Sequence, residues 1–143
     1  MTPNSVDLPN AVPDQELIEQ LELATKDLLW FSETESPIHV VYWRDADNFN
    51  QDTLLQQDHD PAETKIAIQD FSAFFATATK QEPWHNEAEQ AEVAKYQNLV
   101  NLLTKNLMDL KVYLIGEVEI AVYILGQTQQ LAIAGLTTSI VAT

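Results

Sequence analysis

Residues 111–143 read KVYLIGEVEIAVYILGQTQQLAIAGLTTSIVAT, and this stretch decides the fold class. Three runs rich in β-branched and aromatic residues, Lys111–Ile115, Val118–Leu125 and Leu131–Val141, read as strands. Turns bearing Gly116 and Gly126 are expected between them. From Glu117 to Val122 the pattern passes from alternating to continuously apolar. Three consecutive strands with no helix between them favour an antiparallel meander.

The chain upstream supplies the helices that must cover such a sheet. Leu17, Ile18, Leu21, Ala24, Leu28 and Leu29 recur at helical spacing. They predict a first helix from an Asp14 N-cap to about Trp30, where the polar run Ser32–Pro37 ends it. Ile38–Trp43 has no clean polar face and reads as a strand covered on both sides. Asp45–Asp52 is a loop, Thr53–Gln57 a short helical turn, Asp58–Glu63 a second acidic loop, and Thr64–Gln69 a strand. Asp70 caps a helix bearing Phe71, Phe74, Phe75 and Ala78. After the break Glu82-Pro83-Trp84-His85-Asn86 comes the longest helix, about Glu87–Met108. The expected class is α+β and layered, with helices covering a mostly antiparallel sheet. Residues 1–13, rich in Pro and Asn, read as a flexible extension, and residues 14–143 as one domain.

Composition excludes several function classes. Among 143 residues, 22 Asp or Glu face 7 Lys or Arg, a formal net charge of −15. Phosphate backbones and anionic membranes repel such a chain, so neither nucleic acid nor membrane is the expected partner. The complementary reading is nucleic-acid mimicry: phosphate-like charge shown to a protein built to bind nucleic acid. The plain reading is solubility. With no Cys, disulfides, zinc fingers and thiol chemistry are absent, which fits a cytoplasmic protein. The N-terminus predicts no secretory signal, and no apolar run is long enough to span a bilayer.

No catalytic constellation stands out. The 3 Gly form no phosphate loop, and His39, His59 and His85 are isolated. Asp58-His59-Asp60 is a weak chelate at best, and a solvated acidic loop is the better reading. Ser32 and Ser36 lack a nucleophile-elbow context, and Glu117 with Glu119 is a chance pair among many acids. Three features remain. The Ser32–Pro37 turn offers Glu33 and Glu35 on a short loop, either to solvent or to a partner. Trp84 is either a lid over the core or an interface anchor. Thr143 ends a strand pattern and carries carboxylate and hydroxyl oxygens of the kind a hard cation accepts.

The chain resembles the nuclease A inhibitor family, small acidic proteins that block a sugar-non-specific, Mg²⁺-dependent DNA/RNA endonuclease. The resemblance rests on Leu28–Trp43 around Ser32-Glu33-Thr34-Glu35, on Asp70–Thr79 around Phe74-Phe75, and on Ala91–Gln97. It continues over Val112–Thr143, with Gly116-Glu117-Val118-Glu119, Val122-Tyr123 and the final Thr143. It implies a three-layer α/β/α sandwich, no enzymatic activity, no cofactor of its own, and a one-to-one complex with the nuclease by a protein monomeric when free. It assigns Thr143 to the nuclease-bound Mg²⁺, Glu33 to the nuclease active site, and Trp84 to the interface. Pro83 stands where the family has an acidic residue, and Glu82, one position earlier, is its candidate replacement. The other reading is an acidic interaction module of the same fold with a non-nuclease partner.

Overall fold

Strands β5 (Met108–Ile115), β6 (Glu119–Gln127) and β7 (Ile133–Val141) form the antiparallel meander the sequence predicts. The computed structural model describes residues 11–61 and 63–141. Gly116 makes the β5–β6 turn possible. Its φ is +113°, and a Cβ there would lie 2.4 Å from the Glu119 carbonyl oxygen. Gly126 is not a turn residue, contrary to expectation: it lies inside β6, where a Cβ would meet Leu107 Cβ at 2.8 Å. Thr128–Ala132 turns the chain instead, with the Thr128 N–H donating to the Ala132 carbonyl at 2.8 Å.

Two more strands complete the sheet. β3 (His39–Trp43) pairs with β7 and β4 (Ile66–Asp70) with β5, giving the order β3-β7-β6-β5-β4 with every pairing antiparallel. Both faces of β3 meet apolar side chains, Val40 on one and Val41 with Trp43 on the other. Because β3 is an edge strand, His39 and Tyr42 stay exposed.

Side chains alternate across each strand and so divide between two clusters. Val122 and Ile124 of β6 join Leu17 and Leu21 of helix α1 (Asp14–Thr25), Phe75 of α3 (Phe71–Phe75) and Leu99 and Leu103 of α4 (Glu87–Asn106). Tyr123 and Leu125 join Leu54 and Leu55 of α2 (Gln51–Gln57). Among the described residues the fold is α+β, with four α-helices, this five-stranded sheet and a small two-stranded one. Among the described residues, no helix is long and apolar enough to cross a membrane.

The helix ends show where tertiary contacts override local pattern. Asp70 caps α3 as predicted, accepting from the Ala73 N–H at 2.9 Å. Asn86 and Glu89 cap α4 reciprocally, at 2.8 and 3.1 Å. α4 stops at Asn106, because Leu107 is already extended and Met108 enters β5. Asp14 is not a cap: it is the first helical residue after Pro13, and its buried carboxylate accepts from the Tyr42 hydroxyl at 2.7 Å and the Thr128 hydroxyl at 2.9 Å. α1 ends at Thr25, five residues before Trp30, as Asp27 turns left-handed at φ +61°. Just before α1, the Val12 N–H donates to Asn106 Oδ1 at 2.9 Å, which ties that end of the Pro-rich segment to α4.

Candidate functional site

The segment from Leu29 to Pro37 is a hairpin, where the sequence predicts the end of a helix and a polar turn. β1 (Leu29–Phe31) and β2 (Glu35–Pro37) pair antiparallel with Phe31 opposite Glu35. Ser32-Glu33-Thr34 forms the tip, closed by the Ser32 N–H donating to the Thr34 carbonyl at 2.9 Å. Glu33 and Glu35 are both exposed.

A hairpin this short needs anchors from outside itself. Trp30 is stacked on Phe74 with ring centroids 4.5 Å apart, and meets Phe75 and Tyr96 edge-on, each at 5.5 Å. The Tyr96 hydroxyl donates to the Leu29 carbonyl. Burial pushes that phenol above its ordinary pKa, which keeps it a neutral donor. On the opposite side β7 supplies hydroxyls and an amide. Thr138 donates to the Pro37 carbonyl at 2.9 Å, Ser139 to the Ser36 hydroxyl at 3.0 Å, and the Val141 N–H to Ser32 Oγ at 3.0 Å. The residue beside Glu33 is thus bonded to the last described residue of β7. Thr143 lies outside the described residues.

Trp84 is 73% exposed, which excludes a lid over the core. Its loop is closed on itself by the Glu82 N–H, which donates to His85 Nδ1 at 3.1 Å, and tied to α4 by Gln90 Nε2, which donates to the His85 carbonyl at 3.1 Å. The Trp84 and His85 rings meet edge-on at 5.9 Å. Glu82 pairs with Lys80 at 3.2 Å, so its carboxylate is already engaged from within the loop.

The hairpin and the Trp84 loop border one open groove of about 500 Å³. Trp30, Phe31, Phe74, Val93 and Tyr96 give it an apolar wall, His85 also lines it, and its charged residues are Glu89 and Glu92. Phe31, at its rim, is 59% exposed. The sequence points to Glu33 and Trp84 but not to this groove, which neither of them lines. The available signal was aromatic clustering: Trp30-Phe31, Phe74-Phe75 and Tyr96 are too many large rings for stripes this short.

The second acidic loop does different work. The Tyr123 hydroxyl donates to Asp58 Oδ1 at 3.0 Å. Burial, then the hydrogen bond with Asp60, raises the Asp58 carboxyl to about 6. Among the described residues no three His, Asp or Glu side chains are arranged to share a metal ion. A family model described as nuclease A inhibitor-like protein matches residues 15–143. No curated protein matches the chain.

Proposed function

The chain belongs to the nuclease A inhibitor-like family, and from that premise we propose that it is a stoichiometric inhibitor of a non-specific DNA/RNA endonuclease, and not an enzyme. It binds one-to-one as a monomer in the cytoplasm and occludes the nuclease active site. One observation carries the reading: the 3.0 Å bond from the Val141 N–H to Ser32 Oγ. It holds the end of β7 against the residue that precedes Glu33, and Glu33 and Thr143 are the two groups that the family likeness assigns to the nuclease active site.

The chemistry follows from charge. A nuclease cleft is basic and shaped for phosphates, so a chain of net charge −15 is steered into it, more slowly as salt rises. Glu33 engages an arginine that the substrate phosphate would otherwise occupy. Thr143 offers its oxygens to the nuclease's Mg²⁺, the hard cation that otherwise activates water and binds phosphate. Trp84 anchors the flank. Glu82 replaces the acidic residue missing at Pro83 only by leaving Lys80.

The test is plasmid digestion by a non-specific endonuclease with increasing amounts of the protein. Full protection near one-to-one, unchanged by excess Mg²⁺, is the expected result. No protection at large excess assigns the chain instead to the acidic interaction modules with a non-nuclease partner. A Gly-Ser tail after Thr143 is expected to leave the fold intact and cost at least tenfold in affinity, about 1.4 kcal/mol. A tailed protein that inhibits as well as the untailed one overturns the Mg²⁺ contact alone.

A further inference from the structure

We propose that the groove between the hairpin and the start of α4 is an arginine cleft, which receives one arginine side chain of the partner between its aromatic wall and the carboxylates of Glu89 and Glu92. The inference rests on the inhibitor reading for the identity of the partner, but the cleft itself is a property of this chain.

The lining selects the occupant. Its wall is apolar and aromatic, its two carboxylates stand three residues apart on one face of α4, and it contains no Lys or Arg. An anion is repelled by both carboxylates. An apolar side chain would cover them without giving either a partner, a desolvation cost with no return. A lysine ammonium is compact and strongly hydrated, and it has no flat face to lay on a ring. Arginine meets all three demands. Its stem covers apolar surface, its plane stacks on aromatic rings, and its fork matches carboxylates.

The carboxylates are free enough to serve. Glu89 uses one oxygen to cap the Asn86 N–H at 3.1 Å. Glu92 holds only a surface pair with Lys95, at 3.4 Å with both side chains about half exposed, and such pairs are easily exchanged. The α4 N-terminus contributes roughly half a positive charge nearby, which two carboxylates outweigh. The setting also suits an interface. Phe31 and Trp84, 59% and 73% exposed, stand on the elements that flank the groove and can seal an inserted side chain from water.

Two measurements test the inference. In the first, N-acetyl-arginine amide and its uncharged shape-mimic N-acetyl-citrulline amide are titrated into the full chain while the Trp30 indole N–H is followed by NMR. Arginine is expected to shift that resonance with saturation in the millimolar range, and citrulline to move it little. The double variant Glu89→Gln/Glu92→Gln, which keeps the capping acceptor, is expected to abolish the arginine shift. Equal shifts with both ligands, or shifts that survive in the double variant, overturn the cleft. In the second, the double variant is expected to inhibit the endonuclease about tenfold less well, while Glu87→Gln, on α4 but outside the groove, inhibits like the wild type. Wild-type inhibition that the double variant retains in full overturns the cleft's part in the complex. If arginine binds as expected and the wild type protects no plasmid, the inhibitor reading falls and the cleft stands.

Discussion

The turn Ser32–Thr34 and the loop Asp58–Asp60 share an acid-rich composition and treat their charge in opposite ways. Glu33 stands in solvent at the tip of a hairpin fastened by Trp30 on one side and by β7 hydroxyls on the other. Asp58 is turned toward the sheet, where Tyr123 donates to it and burial raises its pKa to about 6. The neighbours make the difference. Leu54 and Leu55 of α2 are buried against Tyr123 and Leu125, which draws the following loop onto the sheet. The hairpin buries its anchors and leaves its tip in water. Acidic residues alone do not make a presenting surface; a carboxylate is available to a partner only where the scaffold keeps it solvated.

Removing the anchor should have the largest effect on that contrast. Trp30→Ala takes away the ring that touches Phe74, Phe75 and Tyr96 together. It is expected to destabilise the protein by ~3 kcal/mol, seen as a lower urea midpoint. Amide exchange in Leu29–Pro37 is expected to rise more than in β6. A loss below about 1 kcal/mol would mean that the β7 hydroxyls hold the hairpin by themselves.

The next effect is on binding with the fold untouched. Glu33→Ala removes a solvated carboxylate, so the melting temperature should stay within a degree or two. Affinity for the nuclease should fall by ~2 kcal/mol or more, because a buried arginine loses its charged partner. Glu35→Ala, on β2, is the comparison and should cost less. Equal losses from the two would reduce the turn to diffuse charge, no different in kind from any other acidic loop.

Legibility in the sequence follows the same division between local and distant causes. The meander and the Asp70 cap were readable because their causes are local: strand periodicity without helices, and a side chain within reach of its own helix. The hairpin was not. Leu28 and Leu29 fit the stripe of α1, and rings supplied by α3 and α4, together with hydroxyls from β7, hold the segment outside the helix. Asp14 has the right type for a cap, yet its partners Tyr42 and Thr128 come from other parts of the chain. Gly126 carries a turn signal and instead serves the close approach of Leu107. Of the site, Glu33 and Trp84 were legible as unusual residues in polar breaks. The groove was not, since three separate stretches of the chain build it.

The smallest effect is expected at Asp58, and its sign is the informative part. A carboxyl ordinarily near 3.9 that reaches about 6 in the folded protein holds a proton that the unfolded chain has released. Stability from this group therefore falls as pH rises from about 4 to about 6, and above that window the ionised carboxylate remains a penalty. Asp58→Asn keeps an oxygen for the Tyr123 hydroxyl and offers an N–H toward Asp60, with no charge at any pH. At pH 7.5 the variant should be more stable than the wild type by ~0.5–1 kcal/mol, a gain held well below the nominal value of the shift because the carboxyl is only partly buried. At pH 4 the advantage should vanish, because wild-type Asp58 is then protonated in the folded state and little is left to relieve. Urea midpoints at the two pH values measure it. A difference that stays constant between them would show that Asp58 titrates like a solvated acid, and the contrast with Glu33 would then rest on geometry alone.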